Sequence, residues 1–241
     1  LSTLGTLAAA LAHEIRNPLE AMNLNLELLG RHLGKMEMSQ SDQDKKNKYL
    51  RILESEVSRL VQITNNFLSF VRPDRAENQT VSVSRILEQI VELVHNQAAT
   101  KNVEIGMVNH TACDMVQGSE DQLKQVFLNI VLNSLEAMPG GGKLSFSIAP
   151  ATGKGNGRTN GMIAVRIDDT GAGITPEKME RLFEPFFSDR PHGTGLGLTI
   201  ARRIIEAHNG HIKIQSEVGK GTSVTVELPL AQSDQPKEAK L

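Results

Sequence analysis

The sequence predicts two domains of different class: an all-α helical hairpin that pairs with a second copy as a four-helix bundle, then a mixed α/β layer. Three observations carry this. Apolar residues recur at gaps of three and four through residues 1–71. Period-two alternation appears only beyond residue 81. Between them "RPDRAENQT", residues 72–80, is polar and carries a helix-ending proline. The expected organisation is a dimerisation hairpin over 1–71, a linker over 72–80, a second domain over 81–230 and a disordered tail over 231–241.

In the first helix Leu4, Leu7, Leu11, Ile15, Leu19, Met22, Leu26, Leu29 and Leu33 line one face. His13 lies about 200° from both Leu11 and Ile15, on the open face. Asn17, one turn later, shares that face, and Glu14 is about 100° away. The successive gaps of four from Leu7 to Leu19 are a stutter that unwinds a supercoil locally. Pro18 leaves the Glu14 carbonyl without its helical donor and bends the chain there. The second helix repeats Leu50, Leu53, Val57, Leu60, Thr64, Phe67 and Val71 as a coiled-coil-like seam. The polar "GKMEMSQSDQDKKNK" between them reads as a hairpin loop with frayed ends. Two helices cannot enclose a core, so a homodimer is expected.

After the linker, residues 84–99 and 120–138 read as helices, the latter opened by Ser119 with Gln122 in capping-box spacing. "LSFSI", "IAVRI", "HIKIQS" and "SVTVEL" alternate as half-buried strands. A last helix over 195–209 ends at Asn209-Gly210. "PATGKGNGRTNG" is a flexible loop without the lysine-hydroxyl pair of a phosphate-cradling P-loop.

Bulk properties narrow the function. A net charge of −2 gives no electrostatic case for nucleic acid or a membrane surface. Cys113 is the only cysteine, which excludes an intrachain disulfide and suits a reducing compartment, so this stretch is expected in the cytoplasm. No apolar run approaches a membrane span. The chain opens inside an apolar pattern without a cap, as a fragment would, so any membrane anchor of the parent is expected upstream.

Four stretches carry chemistry. In "HEIRN" a neutral imidazole is a nucleophile, and the adjacent carboxylate can accept its other ring proton. In "FLNIVLNSLEAMPGGG" Asn129, Asn133 and Glu136 form a polar stripe of hard oxygen ligands suited to Mg²⁺. "RIDDTGAGI" ends a strand in Asp168 and Asp169, where a carboxylate can accept a purine amino group and glycines admit a close backbone. "HGTGLGLTIARRI" leads Gly193, Gly195 and Gly197 into a helix start suited to phosphate oxygens. His208 and His211 have ligand-like spacing, but Gly210 breaks the helix between them and a helix-ending turn accounts for both.

In this order "HEIRNP", "NIVLNSLEAM", "DDTGAGI", "FEPFF" and "GTGLGL" resemble the five boxes of a bacterial two-component sensor histidine kinase core. The resemblance covers roughly residues 4 to 230. "NSLEAMPGGG" and "FEPFFSDRPHGTGLGL" further resemble the nitrogen-regulation type. The resemblance implies an α/β two-layer sandwich of the Bergerat type, a mixed sheet covered by helices. It implies that His13 receives the γ-phosphoryl group of ATP with Glu14 as base, and that Asn129 and Asn133 hold Mg²⁺. Asp169 would read adenine, Gly171 and Gly173 would shape its pocket, and Thr222 after Gly221 would lie beside it. Residues from about 174 to 192 would form a lid with Arg190 near the phosphates. Gly193, Thr194, Gly195, Leu196 and Gly197 would let that lid close on the triphosphate. The phosphoryl group would pass to an aspartate of a response-regulator receiver, and Asn17 would aim water at the phosphoaspartate. Glu136 stands where many relatives have a basic residue, and Arg190 where many have lysine. An ATPase of the chaperone, mismatch-repair or topoisomerase type would share the pocket but lack the "HEIRNP" hairpin. A scaffold that only dimerises and docks a regulator would not need the box residues.

Overall fold

The computed structural model describes residues 15, 18–29, 44–54, 56–57, 60, 64, 79–151, 161–188 and 195–231. His13, Glu14, Asn17, Arg190, Gly193 and Thr194 lie outside the described residues, as do linker residues 72–78, loop 152–160 and tail 232–241. The chain divides into two compact units: residues 1–73 with 184–196, and residues 74–183 with 197–241.

In the first unit residues 18–29 and 44–54 are helical. The second helix therefore starts inside the stretch expected as a loop. Of the apolar seam positions, Leu19, Leu26, Leu50 and Val57 are exposed, while Leu29 is buried. Much of that stripe is uncovered among the described residues. Thr64, the polar seam residue, donates its hydroxyl to the Leu60 carbonyl at 2.8 Å. Its polar atom is thus satisfied within its own helix.

The second unit runs β1 (Gln79–Ser82), α1 (Val83–Thr100), β2 (Val103–Asn109), β3 (Met115–Gly118), α2 (Glu120–Ala137), β4 (Gly142–Pro150), β5 (Met162–Asp169), α3 (Pro176–Arg181), α4 (Gly197–Ala207), β6 (His211–Glu217) and β7 (Gly221–Pro229). The main sheet has the order β2-β4-β5-β7-β6. Strand β2 pairs parallel with β4, because α2 lies in the crossover between them, and the remaining pairs are antiparallel. Alternate residues of the central strands form one apolar face: Leu144, Phe146 and Ile148, then Ile163, Val165 and Ile167, then Val224, Val226 and Leu228. The register sets Phe146 opposite Ile167 and Ile167 opposite Val224, so the face is continuous across strands. Helices α1, α2 and α4 supply the other half of that core through Ile90, Phe127 and Ile205 among others.

The sheet is mixed and helix-covered, as expected, but several bounds differ. Strand β1 takes up Gln79 and Thr80 from the expected linker, and α4 begins at Gly197 rather than 195. Strands β1 and β3 are too short to show a period. They are made by each other, with Val81 opposite Val116. Strand β2 is an edge strand interrupted by Gly106, which blurs its alternation. Helix α3 has six residues and buries none. At the end of α4, Asn209 rather than Gly210 adopts the left-handed conformation, with φ 57°. Gly210 is required for a different reason: a Cβ there would run into the Glu227 carbonyl. No helix among the described residues is long and apolar enough to cross a membrane.

The start of α1 is held by a carboxylate from another element. Ser82 is its N-cap, accepting from the Arg85 N–H. Asp114 Oδ2 accepts from the Ser84 N–H at 2.7 Å and the Ser82 hydroxyl at 3.0 Å. Burial alone would raise the Asp114 carboxyl, but the bonds from Ser84 and Ser82 outweigh it and hold it below its ordinary 3.8. A depressed carboxylate contributes stability that is complete above that ordinary value and fades as pH falls through the lower folded value. Asp114→Ala should therefore cost about 1–2 kcal/mol at neutral pH. Denaturant melts of both proteins should show the difference shrinking below about pH 4; a difference that persists undiminished in acid contradicts this role.

Candidate active site

The end of β5 separates the two aspartates. The pleat sends Asp168 to the open face, where Arg166 Nε donates to its Oδ1 at 2.8 Å. Asp169 is turned inward and is 7% exposed. Its Oδ1 accepts from the N–H groups of Gly171 at 2.9 Å and Thr222 at 3.2 Å. Neither bond uses Oδ2, so one oxygen is a structural anchor and the other is left as an acceptor.

Behind it stands a residue that the sequence does not single out. Ser216 Oγ donates to the Gly221 carbonyl at 2.8 Å and accepts from the Ile174 N–H at 2.9 Å. Its hydroxyl lies 2.9 Å from Thr222 Oγ1. The single Ser216 proton is already given to Gly221, so Thr222 must be the donor in that pair. Ser216 thereby joins the loop after β5 to the β6–β7 hairpin. A serine in a strand of alternating character carries no local signal of this.

The glycines around Asp169 have a reason inside the protein. Gly173 has φ 71°, and a Cβ there would strike the Glu217 carbonyl. At Gly171 a Cβ would lie 2.8 Å from both Ala137 Cβ and its carbonyl oxygen. The Ala172 N–H donates to that same carbonyl at 3.2 Å, and Gly219 N–H donates to Ala172 O at 2.8 Å. The loop is thus clasped between the end of α2 and the turn after β6. Close approach of backbone to backbone demands these glycines before any ligand is considered.

Helix α2 carries the asparagines. Asn129 and Asn133 are half-buried, and Glu136 beyond them is exposed. Asn129 Nδ2 donates to the Gly197 carbonyl at 3.2 Å, which leaves its Oδ1 as the free end of the amide. Asn133, one turn on, sits between that contact and the Ala137 contact with the aspartate loop. From Asn129 to Ala137 the helix spans about 12 Å. It therefore bridges the start of α4 at one end and Asp169 at the other.

Gly197 opens α4 without a left-handed φ. Among the described residues the nearest atoms to a Cβ there belong to Asn129, at 3.7–3.9 Å. Gly195 differs: φ is 62°, and a Cβ would strike the Phe186 backbone. Phe186 N–H donates to the Gly195 carbonyl at 3.1 Å. Phe186 itself has φ 64° at the third position of a turn, Glu184 to Phe187, closed by a 3.2 Å bond from the Phe187 N–H to the Glu184 carbonyl. A phenylalanine there is strained, because its Cβ crowds the backbone. The "FEPFF" motif thus contains a turn with Pro185 at its favoured second position. Leu196 is buried.

Residues 3–76 match the His Kinase A (phospho-acceptor) domain. Residues 118–232 match the family described as histidine kinase-, DNA gyrase B-, and HSP90-like ATPase. The chain is 36% identical over 234 residues to sporulation kinase D of Bacillus subtilis (strain 168), covering 97% of this chain and 43% of that protein. It is 32% identical over 231 residues to the sensor histidine kinase ZraS of Klebsiella oxytoca, covering 95% and 47%. The structure of histidine kinase ThkA in complex with response regulator protein TrrA superposes with TM-score 0.74 at 26% identity, over 96% of this chain and 63% of that one. The chain spans less than half the length of either curated relative. The α/β unit is thus an ATP-binding domain of the kinase, gyrase and HSP90 kind. Preceded by a phospho-acceptor domain, it makes the chain a member of the two-component histidine kinase family, as a catalytic core.

The two kinds of glycine separate by experiment. Gly173→Ala should lower stability by about 1–3 kcal/mol, through left-handed strain and the Glu217 clash. Gly197→Ala should leave the thermal midpoint unchanged or slightly raised, since alanine favours a helix by roughly 0.5–1 kcal/mol. Thermal melts followed by circular dichroism measure both; equal losses would mean that Gly197 is also under backbone constraint.

Proposed function

We propose that this chain transfers the γ-phosphoryl group of ATP to His13 and then to an aspartate of a response-regulator receiver. The observation that carries the reading is the placement along α2. Asp169, with an acceptor oxygen left over, lies by the Ala137 end, and Asn129 with the backbone of Gly197 lies about 12 Å of helix before Ala137. A nucleotide laid along the helix would present its base to Asp169 Oδ2 and Thr222, and its phosphates to the loop entering α4. Gly171 and Gly173 would shape the base pocket through the loop they allow.

Asn133 and Asn129 offer amide oxygens, the hard ligands Mg²⁺ prefers. The Asn129 amide is already oriented by its bond to Gly197, so the donor set fits the ion. Bound there, Mg²⁺ would supply charge neutralisation on the phosphates. Gly193, Thr194, Gly195, Leu196 and Gly197 would close over them, with the Arg190 guanidinium adding charge. In the transfer a neutral ring nitrogen of His13 attacks the γ-phosphorus, the bond to the ADP oxygen breaks, and Glu14 takes the proton from the other ring nitrogen.

The uncovered seam at Leu19, Leu26, Leu50 and Val57 supports a homodimer. ThkA, solved with the response regulator TrrA, supports a receiver as partner. Asn17, one turn from His13, would hold water with its amide for the reverse step, hydrolysis of the receiver's phosphoaspartate.

Incubation with Mg-ATP should label the protein in an acid-labile, alkali-stable form, as a phosphoramidate is. His13→Gln should abolish the label, and Asn17→Ala should keep most of it while losing receiver dephosphorylation. Label that persists without His13 overturns the assignment.

Asp169→Asn tests the base contact separately. Asparagine can keep the Oδ1 bonds to Gly171 and Thr222 but turns the second oxygen into a donor. Calorimetric affinity for Mg-ADP should fall by at least about tenfold, while the thermal midpoint changes little. Unchanged affinity would remove Asp169 from base recognition.

A further inference from the structure

We propose that His208 is a positioning residue for nucleotide binding: it fixes the axial register of α4 along α2, and with it the placement of Gly197 against Asn129. The inference rests on the reading of Asn129, Asn133 and Gly197 as the phosphate end of the site.

His208 is 7% exposed, and Asp169 and Ser134 are the other buried polar residues among those described. Its Nε2 accepts from the Ser119 N–H at 3.1 Å. Its Nδ1 lies 2.8 Å from the Ile204 carbonyl. An Nε2 that accepts cannot carry the proton, so Nδ1 carries it and donates to Ile204. Both nitrogens are committed, one to the end of α4 and the other to the N-cap of α2. The chain makes room for the ring: a Cβ on Gly118 would run into His208 Cδ2.

The two helices pack against each other and run antiparallel. The start of α2 meets the end of α4 through Ser119 and His208, and the middle of α2 meets the start of α4 through Asn129 and Gly197. Ten residues separate the contacts on α2 and eleven on α4. That is about 15 Å and 16–17 Å of helix, so the links can pin both ends of one contact. Between them Leu123, Val126, Ile200, Ala201 and Ile205 are buried. Apolar burial is non-directional and tolerates small axial slips. A hydrogen bond to a backbone N–H is directional and does not. Without the His208 link, more of the resistance to sliding falls on the Asn129–Gly197 bond, and that bond involves the residue that would orient toward the ligand.

The test compares Mg-ADP affinity by calorimetry in the full chain, at a temperature where every variant is folded. His208→Asn keeps a donor near the Nδ1 position but has no acceptor that reaches Ser119. His208→Gln has one. His208→Asn should weaken binding by about tenfold, whereas His208→Gln should stay within about threefold of wild type. A lower melting temperature with unchanged affinity in His208→Asn makes the residue purely structural and overturns the proposal. Equal loss in both variants does the same. A second measurement needs no variant: coupling is reciprocal, so Mg-ADP should slow hydrogen exchange at the Ser119 amide of the wild-type chain. Unaltered exchange there at saturating nucleotide overturns the proposal. Failure of the wild-type chain to bind Mg-ADP would instead overturn the nucleotide reading beneath it.

Discussion

Burial of one face of α2 against the sheet is the constraint on which the rest of the domain depends. Leu123, Val126, Phe127, Ile130, Val131 and Leu135 are each no more than 1% exposed. Fully burying such a side chain contributes about 1.5–3 kcal/mol, so no rotation of the helix about its axis is tolerated. Once that face is fixed, the 100° step of the helix decides where everything else points. Asn129 and Asn133 fall on the flank, half-buried. The helix end reaches the aspartate loop through the Ala137 carbonyl. The site is the exposed consequence of a core decision.

A second constraint is polar and comes from strands that are distant in sequence. Thr222 pairs with Asp169 across β5 and β7, and Ser216 pairs with Thr222 across β6 and β7. Side chains on adjacent strands at one register stand next to each other on one face, so a carboxylate, a threonine and a serine converge. The anchoring of Asp169 Oδ1 by two N–H groups holds that carboxylate still. A rigid acceptor recognises a donor at low entropic cost, which a freely rotating side chain cannot do.

The glycines have a conformational reason that their spacing does not show. On chemistry alone their spacing looks like clearance for a ligand. In the fold Gly171 and Gly173 clear the protein's own backbone at Ala137 and Glu217, and Gly195 clears that of Phe186. Gly197 has room for a methyl group among the described residues. Conformational need therefore differs between neighbouring glycines of one pattern.

What the sequence determined by itself is whatever depends on local repetition. The period of 3.6 placed α1, α2 and α4 within two residues of their ends, and the period of two found β4, β5, β6 and β7. Ser119 was legible as an N-cap because capping is settled within one turn of helix. Asn129, Asn133 and Asp169 were legible because a polar group on an apolar face, or at a strand end, stands out from its neighbours. The tertiary structure alone decided the rest. Strands β1 and β3 form by pairing with each other, with a further bridge from Val116 to Leu230, and β2 forms by joining the edge of β4. Of two adjacent aspartates, the pleat and the core chose which turned inward. Ser216 and His208 became structural keystones through partners with which they share no local pattern: Ile174 is 42 positions from Ser216, and Ser119 is 89 from His208. A hydrogen bond between distant segments leaves no periodic trace, because its geometry exists only after the hydrophobic core has brought them together.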